Sequence, residues 1–269
     1  MLEPEGAPEL THPMEPIWRA ILLGTEPRFR RTRKLLKHFP SPPRCKLCAA
    51  PFAGPFGPVM RAIGRPRWSG NSKYCAYCFR VVEALHGGAE IECTLLFADI
   101  RGSTALAERM TTTGFRQLLD RFYGIATRIL VDQDGIIDKY VGDEVVAIFV
   151  PALTQEAHAS RAVDAARELL AATGNADSGG PWLPVGAGIA TGVAFVGSVG
   201  TSEHRELTAL GDIVNTAARL AGAAGAGEIL LTIPALEKAG LGSAGLPRRT
   251  LDLKGKAEPV DAAVIAGSR

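Results

Sequence analysis

An α+β fold, with helices laid on one face of a mainly antiparallel sheet, is what most of this 269-residue chain predicts. Three observations lead there. Segments rich in Val, Ile and Leu alternate with segments carrying Ala, Leu and Arg at helical spacing. Their order is strand, helix, strand, strand, helix, strand, with neighbouring strands joined closely enough to form hairpins. Charge then marks off the region in which this order holds. Residues 1–88 carry 14 Lys/Arg against 6 Asp/Glu, whereas the remainder carries 16 against 22. A domain boundary is therefore placed near Gly87-Gly88, giving a basic region of residues 1–88 and a second domain of residues 89–269.

Residues 1–16 are rich in Pro and Glu and read as a disordered tail. A short apolar helix is expected over 17–24. The next piece, 28–39, interleaves basic residues with Phe29, Leu35, Leu36 and Phe39 at roughly helical spacing. Such a helix can dock on a membrane surface or on nucleic acid. It can equally pack its apolar stripe on its own protein and leave a solvated basic face. The second reading is favoured, and no nucleic-acid partner is expected.

Cys45-Lys46-Leu47-Cys48 and Cys75-Ala76-Tyr77-Cys78 follow, separated by a Pro/Gly-rich loop of 26 residues. Each CxxC brings two thiolates to one ion from a tight knuckle, and two knuckles complete a tetrahedral four-sulfur site. Pro51, Pro55, Pro58 and Pro66 make a compact core between them unlikely without such a staple. Structural zinc is the first expectation, an iron–sulfur cluster the second, and four unligated thiols the third. A helix over 79–85, stopped at Gly87-Gly88, leads into the second domain.

There the pattern predicts a strand over 92–99, helices over 103–111 and 114–132, strands over 135–140 and 144–150, and a helix over 155–173. Strands over 184–192, 193–199 and 206–209 come next, then a helix over 211–223. A strand over 227–232, a short helix over 233–240 and strands over 248–253 and 260–266 close the chain. Cys93 reads as a small buried apolar residue, and His158 and His204 as surface histidines. Asp138, Glu144 and Asp212 read as turn or supporting residues. Two acids, Asp99 and Asp143, stand at the ends of strand-like segments. They meet if those strands are neighbours, an arrangement suited to divalent cations on a nucleoside triphosphate.

Phe97-Ala98-Asp99-Ile100, Lys139-Tyr140-Val141-Gly142-Asp143 and the stretch Leu207-Thr208-Ala209-Leu210-Gly211-Asp212-Ile213-Val214-Asn215-Thr216-Ala217-Ala218-Arg219 resemble the class III nucleotide cyclases. The likeness runs through 90–266 in order and spacing. It implies a ferredoxin-like (βαββαβ) palm and a head-to-tail homodimer with active sites shared between the chains. It further implies that Asp99, Asp143 and the Ile100 carbonyl hold two Mg²⁺ or Mn²⁺ ions, and that Lys139 and Thr208 select the purine. Asn215 would orient the ribose, and Arg219 would neutralise charge on the α-phosphate. The Gly102-Ser103-Thr104 turn and Lys254 would meet the terminal phosphates. The resemblance thus implies an adenylate cyclase acting on ATP. A cyclase for GTP or a pyrimidine nucleotide, and a non-catalytic nucleotide-binding module, are the alternatives. No apolar run reaches the length of a membrane span, and the first residues lack a basic segment followed by an apolar core, so a cytoplasmic location is expected. The cysteine usage fits a reducing compartment.

Overall fold

The computed structural model describes residues 13–266 except 40–42, 70–71, 176, 178, 202–204, 243–244 and 253–258. Residues 1–12 of the expected tail lie outside the described residues, as do His204 and Lys254, whereas its last two, Glu15 and Pro16, already open the first helix. Helices α1 (Glu15–Leu22), α2 (Pro27–Leu36), α3 (Gly57–Ala62) and α4 (Ala76–Ala84) precede the sheet. They are followed by β1 (Gly87–Ile100), α5 (Ser103–Arg109), α6 (Thr112–Asp132), β2 (Ile136–Val141) and β3 (Glu144–Phe149). After α7 (Pro151–Thr154) and a 3₁₀ turn come α8 (His158–Ala172), β4 (Val185–Gly200), β5 (Arg205–Leu210) and α9 (Asp212–Ala223). The chain closes with β6 (Glu228–Thr232), α10 (Ile233–Lys238), β7 (Arg248–Leu251) and β8 (Val260–Ala266).

The strands form one sheet in the order β2-β3-β1-β4-β6-β8-β7, with β5 paired to β4. All pairings are antiparallel except β4 with β6. The α+β expectation holds, but helices cover both faces. Alternate residues of β1 decide which side chain goes where. Leu96, Ala98 and Ile100 face α6 and α8. Ile91, Cys93, Leu95 and Phe97 face the other way, onto Ala217 and Ala221 of α9 and onto Trp18 and Leu22 of α1.

Where two strands are expected, at 184–192 and 193–199, a single β4 runs for 16 residues. The glycines of β4 serve close approach. A Cβ on Gly188 would lie 2.2 Å from the Ala221 nitrogen and 2.3 Å from the Ala217 carbonyl oxygen, so its absence lets the α9 backbone rest on the sheet. Gly197 faces Gly88 across the ladder, where a Cβ would come within 2.3 Å of the Gly88 Cα.

The basic helix α2 packs on its own protein. Leu36 is buried and Phe29 half-buried against the four cysteines, while Leu35 on the opposite side is 67% exposed. The Glu26 carboxylate starts this helix by accepting from the Phe29 amide at 2.8 Å. The Pro-rich loop between the knuckles contains α3, and its Met60 joins the same small core.

Candidate functional site

Asp99, the last residue but one of β1, lies directly opposite Glu144 on β3, and Asp143 stands in the two-residue loop between β2 and β3. Gly142 opens that loop at φ 61°, the conformation a tight hairpin needs and glycine tolerates. Tyr123 of α6 donates a hydrogen bond to the Gly142 carbonyl and steadies the loop from outside. Facing carboxylates on adjacent strands repel unless a cation lies among them. Here that cation is Arg101, whose guanidinium pairs with Asp99 and lies in the field of Asp143 and Glu144. Burial pushes Glu144 up to about 7, Asp143 adds to the shift, and Arg101 opposes it. The acids therefore fit a divalent ion by the chemistry of their donors: hard anionic oxygens, partly buried, with more negative charge than one guanidinium balances. Ile100, whose carbonyl is the further expected ligand, is buried beside them.

Arg101 is a residue of the candidate site that the sequence motifs do not single out. Besides pairing with Asp99, it donates to the carbonyl of Gly222 at 2.9 Å, at the end of α9. Its amide donates to the Pro184 carbonyl at 2.8 Å. It thereby ties the acidic strand end to the C-terminus of α9, where a cation is favoured by the free carbonyls. Gly102 takes φ 72° and turns the chain into α5, with Gly102 and Thr104 exposed and Ser103 half-buried.

Lys139 and Thr208, from β2 and β5, are brought together by Asp138. An irregularity between Ile137 and Lys139 sets Asp138 and Lys139 side by side in β2. Thr208, itself buried, donates to Asp138 Oδ2 at 3.1 Å, and Lys139 Nζ lies 3.8 Å from the same oxygen. The Asp138 side chain is only 2% exposed. Burial raises its carboxyl above the usual range, and the bond from Thr208 opposes the shift.

Asn215 and Arg219 sit on α9, the first exposed and the second half-buried. Contacts along α9 fix where they fall. Ile213 lies over Gly192, which pairs with Cys93; Ala217 and Ala221 lie over Gly188, which pairs with Phe97; Ala224 lies over Gly186, which pairs with Asp99. Asn215 is thus nine residues before the point where the helix passes Asp99, about 13 Å along the axis at 1.5 Å per residue. The fold gathers Asp99 with Asp143, and Lys139 with Thr208, but holds Asn215 away from its own chain's acids.

The four cysteines converge. All four are buried, none forms a disulfide, and their sulfurs lie within 4.8 Å of one another. Cys48 Sγ is 3.7 Å from Cys75 Sγ. A tetrahedron with zinc–sulfur bonds of about 2.3 Å has edges of about 3.8 Å, so the spacing suits an ion and is far too long for a disulfide. The Cys75 amide donates to Cys45 Sγ at 3.3 Å, and Arg65 Nη1 donates to Cys48 Sγ at 3.4 Å. Hydrogen bonds from Cys45 and the other two thiols hold Cys75 well below the usual thiol range. Both knuckles also grip the turn before β2: Lys46 pairs with Asp134 and Lys73 with Asp132, each at 2.9 Å.

His158 departs from the surface position expected for it. Its side chain is 1% exposed, with Nδ1 2.8 Å from Thr94 Oγ1 and Nε2 3.4 Å from Glu92. The histidine opens α8 on the face that packs against β1, so helix packing buries it. Cys93 is buried as expected, and burial pushes its thiol up to about 12.

The family model described as "Adenylate and Guanylate cyclase catalytic domain" matches residues 88–260. The chain belongs to this family. Among solved structures, the guanylyl cyclase Cya2 is similar with a TM-score of 0.62 and 28% identity, over 68% of this chain and 95% of that one. The adenylyl cyclase CyaB from P. aeruginosa is similar with a TM-score of 0.58 and 30% identity, over 67% of this chain and 96% of that one. An adenylate cyclase of Anabaena cylindrica is 33% identical over 133 residues, 48% of this chain and 26% of its own length. Adenylate cyclase 1 of Rhizobium meliloti is 35% identical over 136 residues, 49% of this chain and 20% of its own length. The match therefore spans roughly a quarter or less of those curated relatives. The class III cyclase fold expected from the motifs is the fold these likenesses support, preceded by the four-cysteine cluster. Among the described residues, no helix is long and apolar enough to cross a membrane.

Proposed function

We propose that this chain is an adenylate cyclase, forming 3′,5′-cyclic AMP and pyrophosphate from ATP at sites shared between two copies. The observation that carries the base preference is the bond from Thr208 to Asp138. A hydroxyl that has committed its proton to a carboxylate presents only lone pairs elsewhere. Adenine offers it the N6 amino group as a donor, and Lys139 can donate to N1. Guanine reverses both, with an acceptor at O6 and a donor at N1, so the same pair disfavours it.

In the reaction the ribose O3′ bonds to the α-phosphorus as the bond from that phosphorus to the β-phosphate oxygen breaks, and pyrophosphate leaves. Two divalent cations, held by Asp99, Asp143 and the Ile100 carbonyl, would supply acidification of the 3′-hydroxyl and neutralisation of the leaving group. Asn215 positions the ribose, and Arg219 meets the charge that grows on the α-phosphate. The turn at Gly102, Ser103 and Thr104, with Lys254, binds the terminal phosphates. The separation of Asn215 from Asp99 along α9 supports a site in which one protomer brings the acids and its partner brings Lys139, Thr208, Asn215 and Arg219. The sulfur spacing supports structural zinc in residues 1–88, read as a module in front of the domain at 89–269.

The test is product formation by the purified chain with Mn²⁺ and each of the four nucleoside triphosphates. Cyclic AMP as the dominant product is expected. Dominant cyclic GMP would overturn the base assignment, and no cyclic nucleotide from any of them would overturn the enzyme.

A further inference from the structure

The cysteine knuckles reach beyond their own small core. Lys46 stands between the two cysteines of the first knuckle, and Lys73 shortly before Cys75 of the second. The Lys46 amide donates to the Lys73 carbonyl at 2.8 Å, which ties one knuckle to the other. Both lysines then pair with acids at the end of α6, and the two pairs differ in weight. Asp132 is 60% exposed, and a pair so open to water contributes little. The Asp134 side chain is only 9% exposed, and Lys46 Nζ lies 2.9 Å from its Oδ1 and 3.0 Å from its Oδ2. Taking the lysine away from a carboxylate so enclosed strands its charge. Asp134 also has φ 65°, a backbone conformation that Asn and Asp adopt more readily than other side chains. Gly135 follows, where a Cβ would lie 2.9 Å from the Leu130 carbonyl oxygen. The turn into β2 is therefore tight, and its carboxylate is held from a metal knuckle.

That turn feeds the strand on which the candidate site depends. β2 lies at the edge of the sheet, and its ladder with β3 is interrupted between Ile137 and Lys139. One interrupted ladder fixes a strand less firmly than two complete ones. β2 carries Asp138 and Lys139 and ends at the hairpin of Asp143. Leu47 and Tyr74 of the module and Ile136 and Ile137 of the strand line a common cavity of about 310 Å³. Packing between module and strand is thus incomplete, and the Lys46–Asp134 pair joins them.

We propose that the four-cysteine site is an allosteric zinc site. Zinc bound there fixes Lys46 on Asp134, holds β2 where Asp138, Lys139 and Asp143 serve the nucleotide, and so raises both nucleotide affinity and turnover. The sulfurs of two knuckles, within 4.8 Å of one another and joined by no disulfide, need the cation to stay together. Without it the knuckles part and Lys46 leaves the turn. This rests on the zinc and cyclase readings above and adds control of the second by the first. Linkage makes the effect reciprocal: if zinc favours the nucleotide-bound position of β2, nucleotide tightens zinc by the same factor.

The test uses the full chain loaded with zinc, then depleted with a chelator that is removed before Mn²⁺ and ATP are added. Turnover should fall about ten-fold on depletion and return when Zn²⁺ is restored. Lys46→Met and Asp134→Asn each remove the ion pair and leave the thiols in place, and Asn suits the left-handed backbone. Each variant should keep its zinc and its circular dichroism yet turn over at the depleted level. The double variant should be no slower than either single one. Apart from turnover, a non-hydrolysable ATP analogue with Mn²⁺ should tighten zinc about ten-fold in the unaltered chain, read by competition with a chromophoric chelator. The same analogue should leave zinc affinity unchanged in Lys46→Met. Full turnover by the zinc-loaded Lys46→Met chain, or a zinc affinity blind to the analogue in the unaltered chain, overturns the coupling. If the depleted chain loses its fold, the two zinc-loaded variants decide by themselves. A zinc-loaded chain that makes no cyclic nucleotide overturns the cyclase reading, and the analogue's effect on zinc still judges the coupling. A chain that takes up no zinc overturns the metal centre and this proposal together.

Discussion

Replacing Asp138 by Asn tests how the purine is read. The change keeps the shape of the side chain but gives it an amide that can donate to Thr208 Oγ1, where the carboxylate now accepts at 3.1 Å. Once it accepts from Asn, the Thr208 hydroxyl is free to donate outward. Toward adenine N6 this sets donor against donor; toward guanine O6 it makes a bond. One polar contact turned from matched to mismatched is worth about 1–3 kcal/mol, which lowers the ATP-to-GTP ratio of kcat/KM by about ten- to one-hundred-fold. The assay is pyrophosphate release at varied ATP and GTP with Mn²⁺. Thr208→Val, which removes the hydroxyl, should lose ATP preference without gaining GTP turnover. If Asp138→Asn lowers both substrates in parallel and leaves their ratio intact, Thr208 does not read the base through Asp138, and the carboxylate serves only to hold β2 to β5.

Three further outcomes are expected. Gly188→Ala puts a methyl within 2.3 Å of the α9 backbone, which cannot retreat as a flexible side chain would; a loss of about 1–3 kcal/mol or more should appear as a lower Tm. Metal analysis of the full chain should find one zinc per chain, with Cys48→Ser lowering both zinc content and Tm; an unligated wild-type chain of unchanged stability would refute the metal centre. His158 is held below its ordinary pKa, first by burial and then by Lys238, so the unfolded chain binds its proton more readily than the folded one. Its contribution to stability is therefore present at neutral pH and is lost as the pH falls below about 6.5, the ordinary histidine value. Denaturant unfolding of His158→Gln should show a shallower fall across that range, and an unaltered slope would contradict the assignment.

The strands and helices of the cyclase domain are legible in the sequence because each buries one stripe: the alternation along β1 and the spacing of Ala217 and Ala221 are periodic signals. What is not legible depends on partners distant in sequence. The glycines of β4 look like turn residues until α9 and Gly88 are seen lying against them. His158 carries no local mark of burial, since Thr94 and Glu92 reach it from more than sixty residues away. Asp99, Asp143, Lys139 and Thr208 are found by motif, and the fold gathers them in two pairs. Arg101 is passed over, and Asp138 is read only as a turn or supporting residue, because their roles lie in pairing: one with Asp99 and the α9 carbonyls, the other with Thr208. The CxxC spacing forecasts the sulfur cluster, whereas its ion pairs to Asp132 and Asp134, which join it to the turn before β2, follow only from the packing.

The shared site is the centre of this account, and mixing two inactive chains tests it most directly. Asp143→Ala removes an acid from one protomer and Asn215→Ala removes the proposed ribose contact from the other. Because Asn215 lies about 13 Å along α9 from the point where the helix passes Asp99, a mixed dimer with the proposed shared site would assemble one complete site from the two unaltered halves. Cyclic AMP production restored on mixing, to at most about half the wild-type rate per dimer if two equal sites are shared, is the expected result. Mixed dimers verified by differential tags that remain as inactive as either parent would contradict it.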